Sequence, residues 1–581
     1  MTLMEYDPAI HPAPRAYFSM EVGLSSSMPT YSGGLGVLAG DTLRAAADMG
    51  LRTIGITLLN RKGYFRQELD SNGNQTEQPF NWDPNQFLQP LDILVPITIE
   101  DRQVLIRPWR YVITGCTGHR VPVYFLDTAV AQNSPWDQTL TDYLYGGDSH
   151  YRLCQEIILG IGGVAVLRAL GYQEIKAYHM NEGHSALLIL SLLEEQMNDQ
   201  KTCSITPSCG DSVREKCIFT THTPVPAAID QFPMDVVRRV LGETRSEYLK
   251  AARCYNDSTL NMTYLGLCFS RFINGVSMRH EEVSRDMFPN YPINSITNGV
   301  HAATWVSPSF QQLFDRYIPE WRRDNLYLRY AISIPIEDIQ MAHFQAKQEM
   351  IFEIKKRTGV KLDTSAFTIG FARRATGYKR ANLIFSDITR LRQIVNKTGP
   401  LQIIFSGKAH PRDIGGKDII RNIYHAAEEL KGSITVVYLK DYDTELAKYL
   451  CSGVDVWLNT PKKPEEASGT SGMKAALNGV PSFSVLDGWW VEGNIEGVTG
   501  WSIGDNWDAG SNPSQEIASL YNKLEFVVAP LFYTRPSSYA WVMRNAIAIN
   551  GSFYNAQRML SQYVKNAYFP GDNLENINHS H

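Results

Sequence analysis

The chain has 581 residues and a mass of 65.5 kDa, which is too long for one hydrophobic core and predicts two large domains or more. Hydrophobic residues make up 44% and charged residues 20% of the chain, a balance that excludes global disorder. The net charge of −5 provides no basic field for a polyanion, so nucleic acid is not an expected partner. No run approaches the roughly 18 apolar residues of a membrane helix, and no apolar signal segment opens the chain, so we expect a cytoplasmic protein.

The first part of the chain carries a strand, a glycine turn, a helix and a second strand in that order. Residues 16–21 and 53–59 are strand-like, and between them lie Gly33-Gly34-Leu35-Gly36 and a helical stretch that ends near Gly50. This order predicts a βαβ unit whose turn lies at the carboxyl edge of a parallel sheet, where ligands usually bind. We therefore expect the glycine turn to contact a ligand, with a purely packing role as the alternative.

Polar residues follow three later strand-like runs. The runs are 175–180, 217–220 and 295–297. Glu182 and His184 come after the first, His222 after the second and Asn298 after the third. Because the carboxyl ends of parallel strands meet at one edge of a sheet, we expect these side chains to lie at the same edge as the glycine turn.

The remainder of the chain predicts a helical bridge and a second sheet. Residues 337–357 have apolar positions at helical spacing, and strand-like runs then alternate with helical segments. These runs are 367–372, 401–406, 434–439, 454–458 and 482–486. The pattern predicts an α/β fold of two facing, Rossmann-like, doubly wound lobes with an active-site cleft between them. The expected boundaries are 1–300 for the first lobe, 301–360 for the bridge, 361–540 for the second lobe and 541–581 for a helical segment and tail.

Lys474 ends the segment Glu466-Ala467-Ser468-Gly469-Thr470-Ser471-Gly472-Met473-Lys474, at a predicted helix start. Small residues let a ligand approach the backbone, and open amides there attract a phosphate. A lysine in such surroundings can have its pKa lowered enough to form a Schiff base with an aldehyde. Pyridoxal phosphate presents both groups. The alternative is a tight strand-to-helix connection with a solvated lysine.

Four cations, Arg373, Arg374, Lys379 and Arg380, follow the predicted strand 367–372 within eight residues. At a strand end such charges can converge on a bound anion, with arginine gripping a phosphate bidentately and lysine adding a mobile charge. The alternative is a solvated basic loop, which the second phosphate-suited segment around Lys474 makes less favourable.

Two other patterns are interpreted as structural. Gly160-Ile161-Gly162-Gly163 lies inside a predicted continuous helix, 152–170, so we expect close helix packing and not a nucleotide fingerprint. His179, His184, His222 and His301 lack the paired spacing of a zinc site. We expect no metal, and hydrogen bonding to a hydroxylated ligand instead.

Several motifs taken together resemble the α-glucan phosphorylases, the family that acts on glycogen, maltodextrin and starch. The motifs are YFSMEVGL at 17–24, YSGGLGVLAGD at 31–41, GYFRQ at 63–67, HMNEGH at 179–184, FTTHTPVP at 219–226, FINGVSMRHEEVSRDMF at 272–288, ITNGVH at 296–301, RRATGYKR at 373–380 and EASGTSGMKAALNG at 466–479. The chain is similar to the short prokaryotic type, from about residue 16 to about residue 500.

The resemblance implies a retaining glycosyltransferase of the two-Rossmann-lobe, B-type architecture. Its members cleave terminal α-1,4-linked glucose with orthophosphate, release glucose 1-phosphate and use the 5′-phosphate of pyridoxal phosphate as the acid/base partner. A homo-oligomer is also implied. The implied catalytic residues are Lys474, Arg374, Lys379 and His222. The implied cofactor contacts are Lys474, Thr470, Ser471, Gly472, Arg373, Tyr442, Gly34 and Leu35. The implied substrate contacts are Glu466, Ser468, Gly469, Asn298, Glu182, His184, Gly33 and Gly36.

The chain departs from the family pattern at three places. Ala227-Ala228-Ile229 replaces residues that other members carry before the aspartate, Asp443 stands where long members have arginine, and Ala375-Thr376-Gly377 differs from the usual loop. Two other functions stay open. One is a nucleotide-sugar-dependent glucan synthase, which would have no use for Lys474, and the other is a glucan-binding regulatory protein with decayed activity.

Overall fold

A computed structural model describes residues 13–202, 204–225, 229–251, 255–256, 258–506, 508 and 510–569. The strands are β1 (Arg15–Ser19), β2 (Thr53–Leu58), β3 (Arg66–Leu69), β4 (Gln75–Gln78), β5 (Gln89–Pro90), β6 (Val95–Ile99), β7 (Arg102–Thr114), β8 (Arg120–Asp127), β9 (Ala177–Asn181), β10 (Cys217–Thr220), β11 (Gln231–Pro233), β12 (Tyr255–Asn256), β13 (Thr259–Asn261), β14 (Phe272–Gly275), β15 (Ile293–Ser295), β16 (Phe367–Ala372), β17 (Leu401–Ser406), β18 (Thr435–Leu439), β19 (Val456–Asn459), β20 (Ser482–Val485) and β21 (Gly500–Ile503).

The helices cover the sheets and connect them. They are α1 (Gly34–Asp48), α2 (Ser149–Ile157), α3 (Gly163–Ala169), α4 (Leu188–Gln200), α5 (Pro207–Arg214), α6 (Met234–Leu241), α7 (Glu243–Ala251), α8 (Met262–Cys268), α9 (Met278–Met287), α10 (Ala302–Trp305), α11 (Pro308–Tyr317), α12 (Ile336–Thr358), α13 (Ile388–Thr398), α14 (Ile414–Glu429), α15 (Thr444–Gly453), α16 (Ser471–Leu477), α17 (Trp490–Gly493), α18 (Pro513–Lys523), α19 (Ala529–Thr534), α20 (Pro536–Asn545) and α21 (Ala556–Tyr563). No helix in this described part of the chain is long and apolar enough to cross a membrane.

The first half of the chain builds a large mixed sheet in the order β15-β14-β10-β9-β1-β2-β8-β7-β5, with β6 paired to β7. The strands from β15 to β8 run parallel, and β7 adds an antiparallel edge. Every residue of β1, β2 and β9 is buried, as expected for parallel strands with helices on both faces. The parallel arrangement directs the carboxyl ends of these strands to one edge.

The second half builds an all-parallel sheet in the order β18-β17-β16-β19-β20-β21. The order reverses between β16 and β19, which is the kind of switch point where ligands bind in doubly wound sheets. The predicted α/β fold class is confirmed, with one all-parallel sheet and one sheet that is parallel except at its β7 edge. The long helix α12 links them. Its first turn carries Glu337 and Asp338, and Gly359 follows its last residue with a φ of 75°, which favours glycine.

The helix predicted at 152–170 is present, with a π-helical segment at Ile158–Gly162 between α2 and α3. A Cβ at Gly160 would lie 2.6 Å from the backbone nitrogen of Leu188, and one at Gly163 would lie 2.5 Å from the ring of Phe18. These glycines therefore permit close packing, as the sequence predicts.

One predicted strand, 295–297, is misplaced, because β15 ends at Ser295. Beyond it, Ile296 and Asn298 still donate backbone hydrogen bonds to Gly275 and Val276, so the chain follows β14 before it turns into the interior. The segment after α20 returns to the first sheet, where Tyr568 hydrogen-bonds His179 at 2.7 Å. The predicted tail from about residue 572 lies outside the described residues.

Candidate active site

A cavity of about 260 Å³ lies where the carboxyl ends of the two sheets meet. It collects most of the residues that the sequence singles out. From the first half come Gly33, Gly34, Leu35, His222 and Asn298. From the second half come Arg373, Arg374, Lys379, Tyr442, Glu466, Ser468, Gly469, Thr470, Ser471 and Lys474. Their roles in catalysis and binding stay predictions, but the fold brings them to one place.

Four sequence-predicted residues lie behind the wall of this cavity. Glu182 accepts hydrogen bonds from the backbone nitrogen of His222 at 2.7 Å and from the Thr223 hydroxyl at 2.9 Å. His184 pairs with Asp230 at 3.2 Å. For the two glycines, a Cβ at Gly36 would lie 2.7 Å from Glu21, and one at Gly472 would lie 2.8 Å from Ser482. Both glycines therefore allow close packing beneath the cavity.

Lys474 presents its amine to the cavity from the short helix α16. Its Nζ lies 3.8 Å from the ring centroid of Trp305, and the residue is 7% exposed. Within the described ranges the ammonium has no hydrogen bond or ion pair. Burial lowers the pKa of Lys474, and the nearby Asp41 and Cys451 offset this only in part. An amine of lowered pKa that faces open space is suited to react with an aldehyde.

The basic segment, residues 373–380, supplies three cations to the same cavity. Glu466 Oε2 accepts a hydrogen bond from Lys379 at 2.5 Å and from Arg373 at 2.7 Å. The other two guanidinium nitrogens of Arg373 are buried and have no partner among the residues described. Arg374 is exposed to the cavity, and a Cβ on Gly33 would lie 3.5 Å from its side chain. The fourth cation, Arg380, pairs with Glu516 at 2.6 Å and does not line the cavity.

The charges in this group alter one another's protonation. Burial and the adjacent Arg373 lower the pKa of Lys379 to about 7, although Glu466 opposes this. Burial alone would raise the pKa of Glu466, but Arg373 and Lys379 outweigh it and lower that pKa to about 2. Glu466 is therefore ionised at neutral pH, and Lys379 is close to its titration point.

Buried polar atoms also face the cavity. Asn298 Oδ1 and Ser468 Oγ are buried and, in the part of the chain the structure describes, have no hydrogen-bond partner. Unpaired buried groups of this kind are rare in proteins, and a polar ligand in the cavity would supply the missing partner. His222 is fixed by a 2.7 Å hydrogen bond between Nε2 and Asn181 Oδ1. Burial lowers the pKa of His222 to about 3, so its ring is neutral.

Sequence reasoning missed two carboxylates that shape the site. Glu21 accepts hydrogen bonds from the backbone nitrogens of Ser32 and Gly33 at 2.5 and 3.2 Å and fixes the glycine turn. Asp487 accepts one from the backbone nitrogen of Glu466 at 3.0 Å, and burial raises the pKa of Asp487 to about 7. Asp487 follows β20, so the strand-end rule could have identified it. Glu21 closes the predicted strand 16–21 and carried the same signal.

The protein is of the α/β class, and its candidate ligand site lies between two sheets at the carboxyl ends of their parallel strands. A family model described as carbohydrate phosphorylase matches residues 167–500. The chain is 40% identical to the maltodextrin phosphorylase of Thermococcus litoralis, over 96% of this chain and 70% of that protein. It is 35% identical to the glycogen phosphorylase of Aquifex aeolicus, over 96% and 86% respectively. An uncharacterized protein of Methanocaldococcus jannaschii is 30% identical over 96% and 99%.

This chain belongs to the carbohydrate phosphorylase family. The resemblance drawn from the sequence motifs is thereby confirmed, and so is the assignment to an enzyme family. One departure from the family pattern, at Ala227 and Ala228, lies outside the described residues. Asp443 can be placed: it caps α15 by accepting a hydrogen bond from the backbone nitrogen of Leu446 at 2.7 Å.

Proposed function

We propose that this chain catalyses phosphorolysis of the terminal α-1,4-linked glucose of glycogen or maltodextrin. Orthophosphate is the acceptor, and α-D-glucose 1-phosphate forms with retention of configuration. The observation that carries the proposal is a single cavity that holds the buried Lys474 amine, the cations of the basic segment, and buried polar atoms without a partner among the described residues. The relatives named as maltodextrin and glycogen phosphorylases support the substrate class.

Pyridoxal 5′-phosphate is the cofactor we propose, and the residues present fit it. The Lys474 amine has the lowered pKa and the open approach that capture of an aldehyde requires. When bound, the cofactor supplies a phosphate group that can exchange a proton with the substrate phosphate. The side chains and turn proposed to contact it are Lys474, Thr470, Ser471, Arg373, Tyr442, Gly34 and Leu35.

The cations reduce the repulsion between two anions in one cavity. Two unit charges about 5 Å apart repel by about 3 kcal/mol at an effective dielectric near 20. Arg374 and the unpaired nitrogens of Arg373 remain available for phosphate, whereas Lys379 is shared with Glu466. We assign Arg374 and Lys379 to the substrate phosphate and Arg373 to the cofactor side.

The proton for the glycosidic oxygen must come from a group other than Glu466, because two cations hold that carboxylate ionised. His222 is also excluded as an acid, since its ring is neutral and bound to Asn181. We propose that the substrate phosphate is the donor. After protonating the leaving oxygen, it captures the sugar carbon from the same face, which retains the configuration without a glycosidase-type carboxylate pair.

The glucose unit is proposed to lie against the buried polar atoms. We propose that Asn298 Oδ1 accepts a hydrogen bond from the 6-hydroxyl and that Ser468, Gly469 and Glu466 contact the ring hydroxyls. Glu182 supports this pocket by fixing the backbone of His222. A buried acceptor without a partner strongly favours a ligand that supplies the missing hydrogen-bond donor over an analogue that lacks it.

The test is to incubate the purified protein with maltodextrin and orthophosphate and to follow glucose 1-phosphate by proton NMR. We expect the α-anomer to accumulate only when both substrates are present. Parallel incubations with UDP-glucose or ADP-glucose and maltodextrin test the glucan synthase alternative. Chain extension from a nucleotide sugar, without phosphorolysis, would overturn the proposal. Glucan binding with neither reaction would favour a regulatory protein.

A further inference from the structure

The hairpin of β3 and β4 comes from the first half of the chain but lies along the second half. At its tip, a Cβ on Gly73 would lie 2.6 Å from the ring of Tyr424 on α14. Along its edges, Glu77 pairs with Lys417 at 2.8 Å and Glu68 pairs with Lys440. The hairpin therefore contacts the second half from end to end.

Two buried glutamines on this hairpin bind the backbone of the second half. The side-chain nitrogen of Gln67 donates to the Gly407 carbonyl at 2.9 Å, and its oxygen accepts from the Asp441 backbone nitrogen at 2.9 Å. The Gln75 side chain makes two bonds to Ala409, donating to its carbonyl at 2.8 Å and accepting from its nitrogen at 2.9 Å. The glutamines also bond each other at 2.8 Å.

These bonds fix the backbone on both sides of Lys408. Gln67 is 0% exposed and Gln75 7%, so water does not compete well for their amides. Fully satisfied buried polar networks of this kind specify one geometry. The turn 406–409 is therefore held in place by the first half of the chain.

The turn 406–409 also supports the basic segment, residues 373–380. The backbone nitrogen of Arg373 donates to Ser406 at 3.0 Å, and that of Ala375 donates to Lys408 at 3.0 Å. A Cβ at Gly407 would lie 1.9 Å from the Arg373 carbonyl oxygen, so the two backbones are in direct contact. Any displacement of the turn would displace Arg373 and Arg374.

We propose that Gln67 and Gln75 are positioning residues, which set the Arg374 guanidinium group against the glycine turn for binding of the substrate phosphate. The glycine turn and the turn 406–409 are both held by the first half of the chain, since Glu21 fixes Gly33 and the hairpin fixes the turn 406–409. The inference rests on the proposed function because it assumes that Arg374 binds orthophosphate.

The test replaces Gln67 or Gln75 by methionine, which keeps the side-chain length and removes the hydrogen bonds. Inorganic phosphate is titrated into the purified protein with its bound cofactor by calorimetry, and KM for maltodextrin and the unfolding midpoint are measured alongside. In a preorganised site, a misplacement of about 1 Å can lower the reaction rate about 100-fold. We therefore expect each variant to weaken phosphate binding at least about tenfold. KM for maltodextrin should change less than about twofold.

The control is Glu68→Ala, which removes a surface ion pair of the same hairpin and should leave phosphate binding unchanged. Phosphate dissociation constants within about twofold of the wild type in both methionine variants would overturn the inference. Equal weakening of phosphate and maltodextrin binding together with a lowered unfolding midpoint would also overturn it, since that pattern reports general loosening. Absence of phosphate binding to the wild type would instead overturn the proposed function and this inference with it.

Discussion

Glu466 binds both Lys379 and Arg373 through one carboxylate oxygen, Oε2, at 2.5 and 2.7 Å. The shared oxygen keeps two buried cations together although they repel each other. In the proposed reaction, the same carboxylate contacts the sugar and the same cations contact phosphate. Glu466 and its two cations therefore couple the part of the cavity proposed for the sugar to the part proposed for phosphate.

The first prediction concerns the pH dependence of phosphate use. The pKa of Lys379 is lowered to about 7 by burial and Arg373, so this side chain loses its charge as pH rises through neutrality. In Lys379→Arg, the side chain keeps its positive charge throughout the range from pH 6 to pH 8. We expect KM for phosphate in the wild type, divided by KM in the variant, to rise between pH 6 and pH 8. Taking the ratio cancels the titration of phosphate itself, and a flat ratio would contradict the assignment.

The second prediction concerns Arg374, whose guanidinium faces the cavity without a partner among the described residues. Arg374→Ala should weaken phosphate use by on the order of 2–4 kcal/mol, as for loss of a charged partner in a preorganised site. The measurement is kcat/KM for phosphate at saturating maltodextrin. Arg412→Ala is the matched control, because Arg412 is exposed and donates to the Gly147 carbonyl. Unchanged phosphate dependence in Arg374→Ala would exclude its role.

The sequence predicted the sheets and the position of most site residues because both follow from a simple rule. Parallel strands appear in the sequence as short apolar runs, and the polar residues just after them lie at the carboxyl edge of their sheet, as His222 does in the first sheet and Arg373 in the second. The rule says nothing about contacts between the halves. Three features depend on tertiary packing that no local pattern encodes. They are the pairing of Glu466 with Lys379, the orientation of Arg380 away from the cavity, and the hydrogen bond from the hairpin to Gly407.

The third prediction concerns Asn298, whose Oδ1 is buried without a partner in the described part of the chain. Asn298→Ala should weaken glucose 1-phosphate use in the synthetic direction by about 1–3 kcal/mol. Wild type should discriminate strongly between glucose 1-phosphate and its 6-deoxy analogue, and the variant should discriminate little. Asn294→Ala, on the exposed side of β15, is the control. Equal discrimination in wild type and Asn298→Ala would show that Asn298 does not read the 6-hydroxyl.

The fourth prediction concerns acid stability. Burial lowers the pKa of His179 to about 3, whereas an unfolded histidine titrates near about 6.5. Between these values only the unfolded state binds the proton, so stability falls as pH drops below about 6.5, by about 2 kcal/mol at pH 5 for this group. His179→Gln should lower the unfolding midpoint at pH 7 and reduce its loss between pH 7 and pH 5. An undiminished loss in the variant would mean that other groups dominate.

The most direct test of the account is whether Lys474 carries pyridoxal phosphate. The protein purified from cells supplied with vitamin B6 should show a near-ultraviolet absorption band that denatured apoprotein lacks. Borohydride treatment followed by peptide mass mapping should locate the reduced cofactor on Lys474, and Lys474→Ala should contain no fixed cofactor and produce no glucose 1-phosphate. A wild-type protein free of pyridoxal phosphate that still converts maltodextrin and orthophosphate to glucose 1-phosphate would contradict the account.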